Sequence, residues 1–196
     1  MNVYILLDRS GSMSSLWDEA IGSVNGYVDN LADPDTQVSF SVFDSVSYDT
    51  LRECKAMDWI TVSPVEASPR ASTPLMDAAM RTIALAEVAN ADRTIIVIMT
   101  DGHENASHEV TNQQVREKIV AIEAKGWEVV FLGANFSNVT DSSASIGGSF
   151  NKTINFAKGK MMEGMVGLST RSMLYAATGA SINYTAEDRS SLSVAK

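Results

Sequence analysis

Val3-Tyr4-Ile5-Leu6-Leu7-Asp8-Arg9-Ser10-Gly11-Ser12 is the stretch on which the reading of this chain turns. Its first half is an aliphatic and β-branched run, of the kind expected in a strand buried on both faces. Its second half sets one carboxylate and two hydroxyls, Asp8, Ser10 and Ser12, at alternate positions on a loop that Gly11 loosens. Oxygen-only donors at the end of a buried strand suit a hard cation. They equally suit a helix start, because Ser and Asp are favoured N-caps. Within this stretch alone the two readings stand level.

Outward from it, strands and helices alternate. Residues 1–7 form the first strand. Over residues 14–31, Leu16, Trp17, Ala20, Ile21, Val24, Tyr27, Val28 and Leu31 recur at spacings of three and four, which predicts an amphipathic helix ended before Asp33-Pro34. Residues 37–43 alternate Val38, Phe40 and Val42 against Gln37, Ser39 and Ser41, and a turn at Asp44-Ser45 returns residues 46–51 as a short antiparallel strand. Residues 52–71 carry the weakest pattern: Trp59, Ile60 and Val62 call for burial, while Pro64 and Pro69 break regular structure. Thr73-Pro74 opens a second helix, running to about residue 89, with Thr73 as N-cap and Pro74 at the first helical position. Residues 93–99 are the strongest buried strand, and they end at Thr100-Asp101-Gly102. Helices over residues 111–124, 139–146 and 160–177, with strands over 127–133 and 152–156, complete the domain. A polar tail rich in small residues, 181–196, reads as loosely held.

This alternation defines an α/β domain over residues 1–180: three layers, Rossmann-like, with a mostly parallel central sheet, one short antiparallel edge strand and helices on both faces. In such sheets ligands bind beyond the carboxyl ends of the strands, where the strand order reverses. Asp8 follows the first strand, Asp101 follows the strongest one, and Thr73 begins the helix that precedes it. Residues far apart in sequence thereby converge on one rim.

Composition narrows the partner. The chain has 196 residues, 45% of them hydrophobic and 20% charged, which fits one soluble domain with a sizeable core. A net charge of -9, with no local cluster of Lys or Arg, argues against nucleic acid as partner. No apolar stretch approaches 18 residues and Asp8 interrupts the first hydrophobic run, so the expectation is a cytoplasmic chain with neither signal peptide nor membrane partner. The Asn-x-Ser/Thr triplets at Asn105, Asn135, Asn138, Asn151 and Asn183 are then idle composition. The single cysteine, Cys54, reads as a semi-buried thiol.

Asp8, Ser10, Ser12, Thr73 and Asp101 together resemble the metal-ion-dependent adhesion site of the von Willebrand factor A family. That family builds its site from an Asp-x-Ser-x-Ser loop, a distant Thr and a distant Asp. The matching elements here are Asp8-Arg9-Ser10-Gly11-Ser12, Ser72-Thr73-Pro74-Leu75 and Thr100-Asp101-Gly102. Each is weak alone; their order and their places after strands carry the resemblance, which is weakest over residues 52–71 and beyond Gly133. It implies that Ser10 and Ser12 contact Mg²⁺ directly, with Mn²⁺ or Ca²⁺ as substitutes, and that Asp8 and Asp101 act largely through waters. Thr73 then binds directly or through water. Mg²⁺ takes near-octahedral oxygen coordination and usually keeps several waters. The resemblance implies one position left for an Asp or Glu of a protein partner, hence a binding module and not an enzyme.

Other residues draw weaker readings. Asp44 and Asp49 read as solvated turn residues, and Asp77 either approaches the rim or favours the helix N-terminus. Glu104 and Asn105 suit partner contact at the rim or plain loop solvation. His103 and His108 are five apart, whereas metalloprotease histidines sit four apart on a helix, so zinc is disfavoured. Met161, Met162, Met165 and Met173 read as core. An Mg²⁺-dependent phosphoester hydrolase is the competing enzyme reading, but Ser10 stands where an aspartate-nucleophile phosphatase needs a second carboxylate. A homo-oligomer, with a carboxylate of one copy completing the site of another, is the third reading. Gly164 and Gly167 in the last helix leave open a movement coupled to the state of Thr73.

Overall fold

The computed structural model describes residues 1–31, 33–101, 104–134 and 149–193. Six strands, β1 (Asn2–Asp8), β2 (Gln37–Phe43), β3 (Tyr48–Lys55), β4 (Thr94–Thr100), β5 (Glu128–Ala134) and β6 (Thr153–Phe156), form one sheet. Their order is β3-β2-β1-β4-β5-β6. All neighbours run parallel except β3, which pairs antiparallel with β2 at the edge. The chain leaves β1 for one side and returns to its other side at β4, so the strand order reverses between these two.

Strand periodicity divides the core. Val3, Ile5 and Leu7 of β1, with Ile95, Val97 and Met99 of β4, face α1 (Trp17–Asp29) and the long helix Met161–Thr178. Leu6, Ile96 and Ile98 face the opposite layer, α2 (Leu75–Ala89) and α3 (Asn112–Glu123). Side chains alternate across a strand, so an unbroken apolar run serves both layers at once. The helix Met161–Thr178, here α4, packs closely on α1. A β-carbon on Gly26 would lie 2.5 Å from the Met162 sulfur, and one on Gly164 would lie 2.2 Å from the Phe156 ring. The buried hydroxyls of Tyr27 and Ser172 meet across the same interface at 2.9 Å.

The expected elements recur with three differences. β3 extends to Lys55, beyond the anticipated short strand, because a register irregularity at Phe40/Ser41 lets pairing with β2 continue. The rest of residues 52–71 follows as 3-10 turns, Ala56–Asp58 and Pro64–Glu66, the second closed by a reciprocal Ser63–Glu66 capping box. The expected helix over 139–146 lies outside the described residues.

The third difference concerns residues 181–193, which do not form the loose tail expected. Residues 186–192 form a further helix, α5 (Ala186–Leu192), and Ile182, Tyr184 and Leu192 are buried. Tyr184 N–H donates to the Asn151 carbonyl at 2.8 Å, and Ala157 N–H donates to the Leu192 carbonyl at 2.9 Å, fastening the segment along β6. Three spaced apolar residues among polar ones hold it down, a density too low to register as a periodic pattern. Among the described residues, no helix is long and apolar enough to cross a membrane. Replacing Ile182 by Ala is expected to cost about 2–5 kcal/mol, the usual range for a buried aliphatic residue, in a urea titration. A change too small to measure would show that this segment is not part of the core.

Candidate metal centre

Asp8 ends β1 in complete burial, with both carboxylate oxygens held: Oδ1 accepts the Ser10 N–H at 2.7 Å, and Oδ2 accepts the Thr100 hydroxyl at 2.8 Å. The loop then turns into a 3-10 helix, Gly11–Ser15, before α1 begins. Neither start is capped by a side chain: Ser10 makes no capping hydrogen bond, and α1 begins after Leu16. The Ser10 and Ser12 hydroxyls lie 3.0 Å from each other instead. The loop's alternating oxygens are therefore not spent on capping a helix.

Thr73 is buried at the start of α2 but is not its cap, because the position before the helix is Pro74. The first N–H groups of α2 are met from elsewhere: Met76 N–H donates to Glu104 Oε2 and to Ser107 Oγ, each at 3.0 Å. Asn105 clasps the backbone of Thr73, its Oδ1 accepting the Thr73 N–H at 2.9 Å and its own N–H donating to the Thr73 carbonyl at 3.1 Å. Glu104 and Asn105 are thus tied into the rim and do not stand out from it. Burial pushes the Glu104 carboxyl up, but hydrogen bonds from Ser107, Met76 and Ala106 outweigh it and hold it below the usual carboxylate range. Asp77 accepts the N–H groups of His108, Glu109 and Val110 at 3.0, 3.1 and 3.0 Å, which anchors the same loop.

Asp101 follows β4, beside Asp8. Its Oδ1 is buried and accepts no hydrogen bond among the described residues. Burial is also the main force on Asp8, raising its carboxyl to about 6 against the Ser10 and Thr100 hydrogen bonds that lower it, and the charge of Asp101 adds to the rise. Two carboxylates at neighbouring strand ends thus repel each other in a site where water is scarce.

The nearest guanidinium does not relieve them. Arg9 turns away, donating to Asp44 at 2.7 Å and to Asp49 at 2.6 Å, and bonding Ser47 as well. Arg70 donates to the same Asp44 oxygen at 2.8 Å. Asp44 is accordingly not the solvated turn residue expected, its side chain being wholly buried, whereas Asp49 stays half exposed but lies in β3 and pairs with Arg9. Burial pushes the Asp44 carboxyl up, but Arg70, the N–H groups of Val46 and Ser47, and Arg9 together hold it below its ordinary value. Backbone bonds complete the brace: Arg70 N–H to the Arg9 carbonyl at 2.8 Å, Gly11 N–H to Ala71 at 3.2 Å, and Ser45 N–H to Ser72 at 2.9 Å. The loop bearing Ser10 and Ser12 is thereby sewn to the loop that delivers Thr73. Sequence reading missed Arg9, Arg70 and Thr100; their signal is partnership across more than 25 positions, which no local pattern carries.

These residues fit a divalent cation. An unpartnered buried carboxylate oxygen, a second carboxylate with a raised pKa and a pair of hydroxyls in contact form a set that a hard cation would satisfy. Among the described residues no three His, Cys, Asp or Glu side chains gather as a metal-binding group, so a cation here would depend on the hydroxyls. His103 and Gly102 lie outside the described residues, and the His108 side chain is exposed, beside Asp77.

No protein-family model and no curated protein matches the chain in sequence. Solved structures do match in architecture. The vWF domain of the type V pili tip protein Mfa5 from Porphyromonas gingivalis superposes at TM-score 0.69 and 9% identity, over 94% of this chain and 96% of that one. Proximal thread matrix protein 1 from the mussel byssus, solved with a zinc-occupied MIDAS motif, gives TM-score 0.63 at 18% identity, over 86% of this chain and 45% of that one. The manganese-loaded TRAP protein of Plasmodium vivax gives 0.60 at 14%, over 88% and 73%. The chain thus spans less than half of the mussel protein. At these identities the likeness is one of fold, and the fold is that of a von Willebrand factor A domain.

A pH dependence follows from Asp8. Its raised pKa means that the native state binds more protons than the unfolded state between about pH 4 and 6, so stability falls as pH rises through that window. For the metal-free protein the difference between wild type and Asp8→Asn is expected to change by about 3 kcal/mol across it, read from urea titrations at each pH in EDTA. Saturating Mn²⁺ should remove the wild-type fall between about pH 4 and 6, because a cation favours the ionised carboxylate. Identical pH curves for the two proteins would contradict the arrangement.

Proposed function

We propose that this protein is a divalent-metal-dependent protein-binding module, with Mg²⁺ as its cation and an Asp or Glu of the partner completing the coordination. The carrying observation is the buried Asp101 oxygen without a hydrogen-bond partner among the described residues, set beside Asp8 and the Ser10–Ser12 pair. Ser10, Ser12 and Thr73 would supply neutral oxygens, and Asp8 and Asp101 would hold coordinated waters. The bound cation would supply a partly neutralised positive charge that takes a carboxylate strongly and directionally. The chain's own part is positioning: Ser10 N–H and Thr100 fix the Asp8 carboxylate, while Asn105 and the Arg9–Asp44–Arg70 brace fix the loops around it.

Binding is favoured over hydrolysis by the donor set. Ser10 occupies the place where an aspartate-nucleophile phosphatase would carry its second acid, and Asp8 is already committed through both oxygens to Ser10 and Thr100. A zinc-occupied MIDAS motif in one neighbour of the same fold and a manganese-loaded second neighbour support a divalent ion here, and the pilus adhesin among those neighbours supports an adhesive role.

Mass action gives the first test. A cation that binds the native state at a hundred times its dissociation constant adds about 2.7 kcal/mol, so Mg²⁺ or Mn²⁺ should raise the melting temperature of the wild type and leave Asp8→Ala unmoved. Absence of heat in a calorimetric titration of the wild type with either ion would end this reading. Ser10→Ala is expected to abolish EDTA-sensitive capture of a partner in a pull-down while leaving the fold intact by circular dichroism. Chromatography in Mg²⁺ and in EDTA distinguishes self-assembly, which requires a metal-dependent increase in mass.

A further inference from the structure

A groove of about 190 Å³ opens directly beside the metal rim. Phe43, Val46 and Tyr48 line it from the β2–β3 turn, and Pro74, Ala78 and Arg81 line it from the first turns of α2. It is continuous with the site: Pro74 follows Thr73, Phe43 pairs with Asp8 in register, and Ser45 N–H bonds the Ser72 carbonyl at 2.9 Å.

We infer that the groove takes an apolar side chain of the same partner segment, a few residues from the acid that completes the metal. This rests on the metal-bridged reading given above. The volume decides the kind of occupant, because small-molecule and cofactor pockets run to about 300–1,000 Å³ and this groove is smaller. One branched or aromatic side chain suits it better. Its rim is mixed, with Ser45, Arg81, His108 and Glu109 exposed beside Val46, and Val46 is its apolar lip: it is 67% exposed, on a turn where Asp44 Oδ1 accepts the N–H groups of Val46 at 2.6 Å and Ser47 at 3.0 Å. A fixed apolar lip loses little entropy on binding.

Charge fits a segment of this kind. Of the acids in the wall, Asp44 is matched by two arginines and Asp77 by three backbone N–H groups, which leaves Glu109 exposed. Arg81 lies 4.4 Å over the Tyr48 ring and pairs with no carboxylate among the described residues. Its guanidinium rests over the ring and would offer donors to the main-chain carbonyls of an incoming segment. Aromatic and arginine groups around a small pocket are the usual composition of an interface hot spot. A metal–carboxylate contact alone accepts any acid; the groove adds the selection that it lacks.

The probe is a library of random peptides displayed on phage, selected on immobilised wild-type protein in Mn²⁺ and released with EDTA. Enriched peptides should carry an acid and, a few positions away, Leu, Ile, Phe, Met or Trp. For a synthetic peptide from that set, Val46→Gln combined with Arg81→Gln should weaken binding about tenfold or more, the loss expected for one anchor. Calorimetric Mn²⁺ affinity should stay unchanged, as should peptide binding by Val65→Gln, an 89%-exposed valine outside the groove. Changing the peptide's apolar residue to Ser should weaken its binding to wild type and not to the double variant. Peptides enriched for acids alone, or equal binding by the double variant, would overturn the groove and leave the metal reading standing. Metal binding without any EDTA-released peptide, or no metal binding at all, would overturn the metal-bridged reading and the groove with it. Metal-dependent dimerisation abolished by Val46→Gln would make a second copy of the chain the occupant and refute the peptide.

Discussion

Two carboxylates at the ends of neighbouring strands, with no ion pair to a Lys or Arg among the described residues, are the constraint around which this domain is arranged. Asp8 and Asp101 end up adjacent because β1 and β4 are adjacent, and those strands flank the reversal of strand order. Burial is the main reason the Asp8 carboxyl is raised to about 6, and the charge of Asp101 adds to the rise. The closest guanidinium, Arg9, spends its donors on Asp44, Asp49 and Ser47 instead. Arg9 thereby lends no charge to the two rim carboxylates, which is the condition that the proposed cation site needs.

The surroundings explain how such a site keeps its shape. Three loops meet at the rim, from the ends of β1 and β4 and from the start of α2, and each is tied to another through backbone hydrogen bonds or a buried side chain. The Arg9–Asp44–Arg70 cluster pairs a wholly buried Asp44 side chain with the buried Arg9 and the half-exposed Arg70. Removing Arg9 would leave the wholly buried Asp44 carboxylate with only the half-exposed Arg70 for a partner, a loss that exceeds the net worth of the intact pair. Its consequence is positional: it joins the β2–β3 turn to the two loops that bear Ser10, Ser12 and Thr73. The same turn forms one wall of the adjoining groove, so a single network sets the geometry of both.

Much of this was legible in one dimension. Unbroken apolar runs at residues 3–7 and 95–99 announced strands covered on both faces, and the hydroxyls after the first run announced oxygen chemistry. The helix-cap alternative for Ser10 and Ser12 was a fair reading of local propensity. It failed because the chain enters a 3-10 turn first and α1 begins after Leu16. Thr73 was misread as a cap for a related reason: the N–H groups it would have served are met by Glu104 and Ser107, some thirty residues away. Asp44 looked like an ordinary turn residue, since nothing near it in sequence shows that two arginines converge on it.

By itself, the sequence determined the alternation of strands and helices, the two-sided burial of the central strands, and the chemical type of the donors at their ends. These are local properties, set by side-chain periodicity and functional groups. Only the tertiary structure decided which charges face which: that Arg9 serves Asp44 and not Asp8, that Asp101 keeps an oxygen without a partner among the described residues, and that the last segment folds back along β6. The physical reason is that electrostatic and packing partners are chosen by distance in space. In a doubly wound sheet, strand order places residues about ninety positions apart, such as Asp8 and Thr100, within hydrogen-bonding reach.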